Sequence, residues 1–199
     1  AEKELYIATD NYSAGQKTAD VAQKLCGDKE SINIGIVNYG ENTENGSKRL
    51  QGFKDGIKNI KNARIVAMIS ISSNAQSATA GSRKLLEENP EINVLVGFNE
   101  WSTLGVGTAI KELGVKDSVC GIGFDNNTEC VGMLETGELD TLIVQNPFSM
   151  GYLAVMNAAN ILSGKKTEHE IKTDVYVVDR SNMFSADVQK ILFGFDKYK

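Results

Sequence analysis

Strand-like apolar runs alternate with helix-like patterns along almost the whole chain, and this alternation is the strongest constraint on its fold. The runs typical of strands are Leu5–Thr9, Ile32–Val37, Ile65–Ser70, Asn93–Phe98, Val119–Phe124, Thr141–Val144 and Asp174–Val178. The segments with apolar residues at helical spacing are Ser13–Leu25, Ser47–Ile60, Gln76–Glu88, Thr103–Leu113, Thr128–Glu135 and Ser149–Leu162. This order predicts a doubly wound α/β fold, in which helices cover both faces of a parallel sheet.

The composition argues against several classes of function. The 199 residues carry a formal net charge of −5 without a basic block, which argues against a nucleic-acid partner. No apolar run approaches the roughly 20 residues needed to span a membrane. His169 is the only histidine, so we expect no histidine-based triad or His-rich metal site, and we predict no catalytic residue, metal or cofactor. Cys26, Cys120 and Cys130 have no paired spacing and predict no disulfide framework.

Three of the predicted strands are followed by a polar side chain that can hold a hydroxyl group. These side chains are Asn99, Asp125 and Gln145, each placed after an apolar run. In an open parallel α/β sheet, ligands bind outside the carboxyl ends of the strands. The two amides can donate and accept hydrogen bonds, and the carboxylate accepts strong ones. The pattern therefore predicts a row of ligand-binding residues and not a catalytic set.

Each candidate also has a purely structural alternative, which the sequence leaves open. Asn99 and Asp125 precede helices and could act as N-caps. Gln145 precedes Asn146-Pro147 and could belong to a simple turn, because proline cannot donate to a sheet ladder. Arg49 is expected on about the first turn of its helix, where the macrodipole disfavours a cation. That cost suggests a ligand contact through the planar guanidinium, with a solvated surface arginine as the alternative.

Several short stretches occur in an order and spacing that together form a known pattern. They are Ala8-Thr9-Asp10-Asn11-Tyr12-Ser13-Ala14-Gly15, Arg49-Leu50-Gln51-Gly52-Phe53, Gly97-Phe98-Asn99-Glu100 with Leu104-Gly105, Gly121-Ile122-Gly123-Phe124-Asp125, Gly137-Glu138-Leu139, Val144-Gln145-Asn146-Pro147 and Met150-Gly151. From about Tyr6 to Val178 the chain resembles the type I periplasmic solute-binding proteins, of the ribose-binding and LacI-like sugar-binding superfamily.

The resemblance implies two α/β lobes joined by three crossing strands, with a sugar enclosed between the lobes. It implies that Arg49, Asn99, Asp125 and Gln145 contact the ligand from the C-terminal lobe. Trp101 is a further candidate, because a tryptophan ring can cover the apolar side of a sugar; core packing is its alternative.

One stretch departs from the pattern of the family. Where ribose binders place an aromatic residue after the third strand, this chain has Ile71-Ser72-Ser73-Asn74-Ala75. The departure weakens the expectation that ribose itself is the ligand.

The resemblance also implies a division of the chain. Residues 10–146 would form the C-terminal ligand-binding lobe, whereas residues 1–9 and 147–178 would supply hinge strands and a helix to an N-terminal lobe that is otherwise absent. Residues 179–199 would form a C-terminal tail. The apolar face of the Ser149–Leu162 helix would then lie in water, at a cost on the order of several kcal/mol. We therefore expect a partner that holds the other lobe, self-association, or a longer protein.

The family resemblance implies a binding function without chemistry. It predicts an extracytoplasmic protein, periplasmic or a cell-surface lipoprotein, that delivers a sugar or sugar-like molecule to the membrane permease of an ABC importer or to a sensor kinase. The alternative is the effector-binding domain of a LacI-type transcriptional regulator, although these residues contain no basic DNA-binding unit. A third alternative is an α/β enzyme that uses Asp125 or a cysteine, for which the sequence offers no plausible histidine base.

Overall fold

The structure is a computed structural model that describes residues 5–40, 43–72 and 74–193. The strands are β1 (Tyr6–Thr9), β2 (Ile32–Tyr39), β3 (Ala63–Ile71), β4 (Val94–Gly97), β5 (Cys120–Phe124), β6 (Thr141–Val144), β7 (Glu170–Thr173) and β8 (Tyr176–Asp179). The helices are α1 (Asn11–Cys26), α2 (Glu44–Ile57), α3 (Ala75–Glu88), α4 (Glu100–Leu113), α5 (Thr128–Thr136), α6 (Pro147–Leu162) and α7 (Ala186–Phe193). The predicted alternation of strands and helices is confirmed.

The main sheet positions the candidate residues. Its strand order is β3-β2-β4-β5-β6-β8, with parallel pairs from β3 to β6 and β8 as an antiparallel edge strand. Strands β2, β4 and β6 are buried along their whole length, as expected for apolar strands covered on both faces. The chain order changes direction between β2 and β4. This is the topological switch point, where open α/β sheets bind ligands at the carboxyl ends of their strands.

Two consecutive residues show that helices cover both faces of the main sheet. A Cβ on Gly97 would lie 2.8 Å from the Thr103 backbone nitrogen in α4. The next residue, Phe98, packs edge-on against Phe53 of α2, with ring centroids 5.5 Å apart. Successive side chains of an extended segment point to opposite faces, so α2 and α4 lie on opposite sides. Helix α1 packs against α2, and α3 packs against α4. The predicted doubly wound architecture is therefore confirmed.

A smaller unit consists of β1, β7 and α6. Strands β1 and β7 pair in parallel as a separate two-stranded sheet, and α6 contacts β1. The chain passes between this unit and the main sheet at residues 9–11, 145–147 and 173–176. Helix α6 has no buried residue, and its Tyr152, Val155 and Leu162 are 59%, 71% and 89% exposed. The apolar face of α6 is therefore bare in this chain, as the sequence predicted.

The C-terminal part of the chain differs from the prediction. The strand expected at Asp174–Val178 in the other lobe is β8, which pairs with β6 of the main sheet because Val178 is fully buried there. Strand β7 was not expected, because its sequence is mostly polar, and it forms only as the partner of β1. The segment predicted as a separate tail packs on the main lobe through the buried Met183 and Leu192. Residues 1–4 and 194–199 of the predicted hinge and tail lie outside the described residues.

Candidate ligand-binding site

Three candidate side chains lie at the carboxyl ends of neighbouring strands. Strands β4, β5 and β6 are adjacent in the sheet. Asn99 follows β4 after one intervening residue, Asp125 follows β5 directly, and Gln145 follows β6 directly. All three side chains are half-buried. The order of the strands in the sheet therefore places them in one row, at the edge where the main sheet meets the smaller unit.

Gln145 connects the main sheet to the smaller unit. Its Nε2 donates a hydrogen bond of 2.6 Å to Asp125 Oδ1. Its Oε1 accepts one of 2.8 Å from Thr9 Oγ1, at the end of β1. The turn alternative for this region belongs to the next residue, because Asn146 caps α6 by accepting from the Ser149 backbone nitrogen. Gln145 is therefore free of a capping role and links the end of β5 to the end of β1.

Asp125 adopts a strained backbone conformation. Its φ is +70°, and it is the one non-glycine residue with positive φ among the described residues. This left-handed region is disfavoured for residues with a Cβ, although Asp and Asn tolerate it better than most. The N-cap alternative for Asp125 does not hold, because Asn127 caps α5 by accepting from the Cys130 backbone nitrogen. Such outliers persist where the surrounding structure holds them, and they cluster at ligand-binding sites.

Arg49 is buried at the base of the site and is not a surface arginine. Only 2% of it is exposed. Its Nε donates 2.8 Å to Asn11 Oδ1, its Nη1 donates 2.7 Å to the Phe98 carbonyl oxygen, and its Cζ lies 4.4 Å from the centroid of the Phe124 ring. Burial lowers the pKa of the guanidinium, while Tyr39 and Asp125 act in the opposite direction. An arginine has five N–H donors, so most of its donors remain for a ligand.

The helix position of Arg49 corrects one step of the sequence argument. Helix α2 begins at Glu44, after Thr43, which caps it by accepting from the Gly46 backbone nitrogen. Arg49 therefore lies in the second turn of α2, beyond the first turn in which the macrodipole acts most strongly on a charge. The expectation that Arg49 occupies an unfavourable position in the first turn is therefore wrong. Its burial and its fixed hydrogen bonds are better indications than helix position that Arg49 serves the site.

A close crossing of two helices brings Asn11 to Arg49. A Cβ on Gly15 of α1 would lie 2.1 Å from the Arg49 carbonyl oxygen, and one on Gly52 of α2 would lie 2.0 Å from the Tyr12 carbonyl oxygen. Only glycine at these two positions allows the backbones to approach so closely. The crossing sets the first turn of α1 beside Arg49, so that the Asn11 amide can orient the guanidinium.

Asn99 has both of the roles that the sequence left open. Its Oδ1 accepts from the Ser102 backbone nitrogen at 2.9 Å, which completes a capping box at the start of α4. Its Nδ2 makes no hydrogen bond to another described residue. Thr103 ties this strand end to the next one: its Oγ1 donates to the Asn99 carbonyl oxygen and accepts from the Phe124 backbone nitrogen at 2.7 Å. The Asn99 amide is thus held in place with a donor left over.

The structure does not join Trp101 to the other candidates. It is the second residue of α4, and 39% of it is exposed. Core packing, the alternative considered for it, does not apply at this exposure. No hydrogen bond and no cation–π contact joins Trp101 to Arg49, Asp125 or Gln145 among the described residues. Its role as a stacking platform stays a prediction.

A cleft of about 310 Å3 opens between the main sheet and the smaller unit. Arg49 and Gln145 line it together with Thr9, Asn11 and Asn45. Sequence reasoning did not select the last three as site residues. Thr9 and Asn11 could have been found from their position, because they lie at the end of a predicted strand and just after it. Asn45 could not, since it depends on where α2 starts.

Other kinds of site find no support in the described residues. No group of three or more His, Cys, Asp or Glu side chains there could hold a metal ion. No helix in residues 5–40, 43–72 and 74–193 is long and apolar enough to cross a membrane. What the site offers is a set of hydrogen-bonding groups, of which Arg49 and Gln145 line the cleft, whereas Asn99 and Asp125 are not among its lining residues.

Comparison with known proteins gives the class of this chain. The family model described as the periplasmic binding protein domain matches residues 1–166. The chain therefore belongs to the periplasmic binding protein family, and the resemblance seen in the sequence is confirmed.

Individual relatives agree with this assignment. The chain is 29% identical over 175 residues to the ribose import binding protein of Haemophilus influenzae, an alignment that covers 87% of this chain and 58% of that protein. A carbohydrate transporter solute-binding protein from Agrobacterium radiobacter, solved in complex with D-arabinose, superposes with a TM-score of 0.88 at 28% identity, covering 95% of this chain and 65% of that one. The periplasmic component of an ABC-type sugar transport system from Hahella chejuensis has a TM-score of 0.82 at 32% identity, with 89% and 64% coverage.

The coverage shows how this chain relates to its relatives. It spans about half the length of the curated relatives it matches. The names of these relatives are those of sugar-binding proteins of transport systems, which agrees with the prediction that the chain binds a ligand and does not catalyse a reaction. They give no support to the alternatives of a transcriptional regulator or an enzyme.

Proposed function

We propose that this chain forms the larger part of an extracytoplasmic protein that binds a sugar between two lobes and delivers it to an ABC importer. The observation that carries the proposal is the row Asn99, Asp125 and Gln145, which lies with the buried Arg49 at the carboxyl edge of the main sheet. Three relatives support the class of ligand and the location. One is named a ribose import binding protein, one is the periplasmic component of a sugar transport system, and one was solved in complex with D-arabinose.

The available hydrogen-bonding groups suit a polyhydroxylated ligand. A sugar hydroxyl both donates and accepts, so it can bridge an acceptor and a donor on neighbouring side chains. Asp125 supplies a charged acceptor, Arg49 supplies planar donors suited to adjacent hydroxyls, and Asn99 supplies a donor that its capping bonds leave over. No nucleophile with a partnered base lies among these groups. The set therefore favours reversible binding.

The second wall of the cleft belongs, in this proposal, to a second lobe. The smaller unit of β1, β7 and α6 is too small to have its own core, and α6 leaves Tyr152, Val155 and Leu162 exposed. We assign residues 10–146 to the ligand-binding lobe, with β8 and α7 added to it. Residues 1–9 and 147–173 are assigned to the hinge and the second lobe. The occupant of the bare α6 face is then the rest of that lobe, supplied by the same protein or by a separate chain.

Calorimetric titration of the full-length protein with D-ribose, D-arabinose, D-allose, D-fucose and D-glucose tests the binding function. For the sugar that binds, Asp125→Asn should weaken the affinity by about 10- to 100-fold, because a charge-assisted hydrogen bond is lost while the φ remains tolerable. Asn99→Ser should weaken it by about 10-fold and still cap α4. Asp117→Asn, at an exposed residue, is the matched control and should have no effect. Unchanged affinity in both site variants would contradict the site assignment.

A substitution on α6 tests the second lobe. In the chain alone, Val155→Lys should leave the free energy of unfolding almost unchanged and reduce self-association in sedimentation, because Val155 is 71% exposed. In the full-length protein the same change should destabilise, because it would bury an unpaired charge. Equal effects in both contexts would contradict a second lobe on α6. Uptake of the bound sugar by cells carrying the importer then tests delivery, and binding without uptake would favour a sensor partner.

A further inference from the structure

Two cysteines that are far apart in the sequence meet in the structure. Cys26 is the last residue of α1, and Cys120 is the first residue of β5, 94 positions later. Their Sγ atoms lie 3.2 Å apart. The third cysteine, Cys130, lies in α5 and is fully buried. The pair lies at the amino edge of the sheet, away from the sugar site, because β5 runs from Cys120 towards Asp125 at the opposite edge.

Rigid elements hold the two thiols against each other. Cys120 donates its backbone N–H to the Asn93 carbonyl oxygen at 2.9 Å as β5 pairs with β4. The same carbonyl oxygen lies 4.0 Å from Cys26 Sγ. A disulfide bond is about 2.05 Å long, so the sulfurs, which are 3.2 Å apart, need to approach by about 1.1 Å to bond. No residue lies between them.

The contact also prepares one thiol as a nucleophile. The hydrogen bond from Cys120 lowers the pKa of Cys26 to about 7, with Lys29 acting in the same direction and burial and Asp140 opposing it. The same contact raises the pKa of Cys120. The thiolate is the reactive form in thiol–disulfide exchange. The contact therefore favours the thiolate of Cys26 over that of Cys120.

We propose that Cys26 and Cys120 form an intramolecular disulfide that fastens the end of α1 to the start of β5, while Cys130 remains a free thiol. The oxidant is an external disulfide. The Cys26 thiolate accepts the proton of Cys120, the less buried thiol, and Cys120 attacks the external disulfide, which forms a mixed disulfide and releases one thiolate. The released thiolate takes that proton from Cys26, and the Cys26 thiolate then attacks Cys120 Sγ and releases the second thiolate. Two protein thiols are oxidised, and one external disulfide is reduced to two thiols.

The disulfide should stabilise the fold without changing ligand binding. It closes a loop of about 100 residues, and cross-links over long loops restrict the unfolded chain most. For a chain of this size, the expected increase in Tm is about 5–15 °C. The state of the pair in cells depends on the compartment. The proposed extracytoplasmic location, which rests on the proposed function, favours the oxidised form; the bond in purified protein does not depend on that location.

Oxidation of the purified chain with oxidised glutathione tests the disulfide. After alkylation under denaturing conditions, a non-reducing digest should contain one peptide pair that joins Cys26 to Cys120, and only Cys130 should be alkylated. The Tm of the oxidised protein should exceed that of the reduced protein and return to the lower value with dithiothreitol. Three alkylated cysteines, a link that includes Cys130, or a link between two chains would overturn the proposal, as would an unchanged Tm of the linked protein.

Matched variants separate the bond from the individual thiols. Cys120→Ser and Cys26→Ala should each abolish the sensitivity of Tm to oxidant, whereas Cys130→Ala should keep it. Because Cys120 is only partly buried, its serine variant tests the bond even where the Cys26 variant fails to fold. Sugar affinity, measured on oxidised and reduced protein, should agree within about twofold, so failure of the sugar-binding proposal and failure of this one give different results.

Discussion

Helices α4 and α6 have similar lengths and many apolar residues, yet they are buried very differently. Eight of the 14 residues of α4 are buried between the main sheet and its neighbours. None of the 16 residues of α6 is buried. Both helices begin with a capping asparagine, Asn99 or Asn146. The difference therefore does not come from local helix signals but from the presence or absence of a packing partner.

The contrast indicates where the stability of this chain resides. The main lobe contains a continuous core, in which Phe53, Phe98 and Phe124 form two successive edge-on ring contacts directly below the site. The smaller unit is held by the β1–β7 pairing and a few hydrogen bonds, such as the one from Thr9 to Gln145. A region without its own core opens at low free energy. This property suits the proposed role of the smaller unit as a hinge and a part of the second lobe.

The largest expected effect tests that contrast directly. Phe53→Ala should lower the free energy of unfolding by about 3–5 kcal/mol, because it leaves a cavity in a fully buried aromatic cluster. Leu162→Ala in α6 should change it by less than about 0.5 kcal/mol, because Leu162 is 89% exposed. Urea denaturation of the chain measures both values. Comparable losses in the two variants would mean that α6 is packed in solution.

A smaller effect is expected where the main lobe holds the ends of β4 and β5 together. Thr103 is fully buried and packs closely against Gly123, where a Cβ would lie 2.1 Å from the Thr103 Cγ2. Thr103→Val should cost about 1–3 kcal/mol, because it keeps the shape but leaves the Phe124 backbone nitrogen without its acceptor.

The matched control for this change lies in the smaller unit. Thr9→Val removes a part-buried hydrogen bond to Gln145, in a unit without its own core, and should cost less in urea denaturation. A larger loss for Thr9→Val than for Thr103→Val would reverse the comparison of the two regions.

The backbone of Asp125 provides a third and finer test. Asp125→Gly and Asp125→Ala both remove the carboxylate that Gln145 binds. Only glycine accommodates a φ of +70° without strain, so the alanine variant should be less stable by about 1 kcal/mol. The difference between the two free energies of unfolding is the strain of the alanine variant less the extra conformational entropy that glycine loses on folding. Equal stabilities of the glycine and alanine variants would mean that the backbone at the end of β5 adjusts to a conformation that alanine tolerates, as expected for a loosely packed segment.

The sequence predicted the main lobe better than its site. Continuous apolar runs suit strands that are covered on both faces, so the sequence alone predicted the strands β2, β4, β5 and β6. The row formed by Asn99, Asp125 and Gln145 was predicted because each residue comes just after a predicted strand. The strand β7 could not be predicted, because the sequence of Glu170–Thr173 has no apolar pattern and depends on β1 for pairing.

Contacts between distant segments were beyond the reach of the sequence. The partners of Arg49 come from residues 38 and 49 positions away. Their meeting depends on a helix crossing that two glycines permit. The approach of Cys26 to Cys120 likewise depends on how the end of α1 lies over the start of β5. Spacing along the chain carries no signal for such pairs, which explains why the sequence predicted no disulfide framework.

The smallest expected effect concerns a charge at the amino edge of the main lobe. Burial raises the pKa of Asp140, although the Gly121 backbone N–H, at 3.0 Å from Oδ2, and Arg180 partly oppose the shift. A carboxyl whose folded pKa lies above its unfolded value of 3.8 binds its proton more tightly in the folded state. The charged form therefore destabilises the fold above the folded pKa, and this penalty disappears as the pH falls to 3.8 and below.

Asp140→Asn should remove the penalty and keep an acceptor for Gly121. We expect it to increase the free energy of unfolding at pH 7 by less than about 1 kcal/mol, since loss of the pair with Arg180, which is half-exposed, offsets part of the gain. The advantage should shrink as the pH falls towards 3.8, whereas the exposed Asp117→Asn should show no such trend. Urea titrations at pH 7, 5 and 4 measure the effect. An advantage that is constant with pH would show that packing, and not the buried charge, distinguishes the variant.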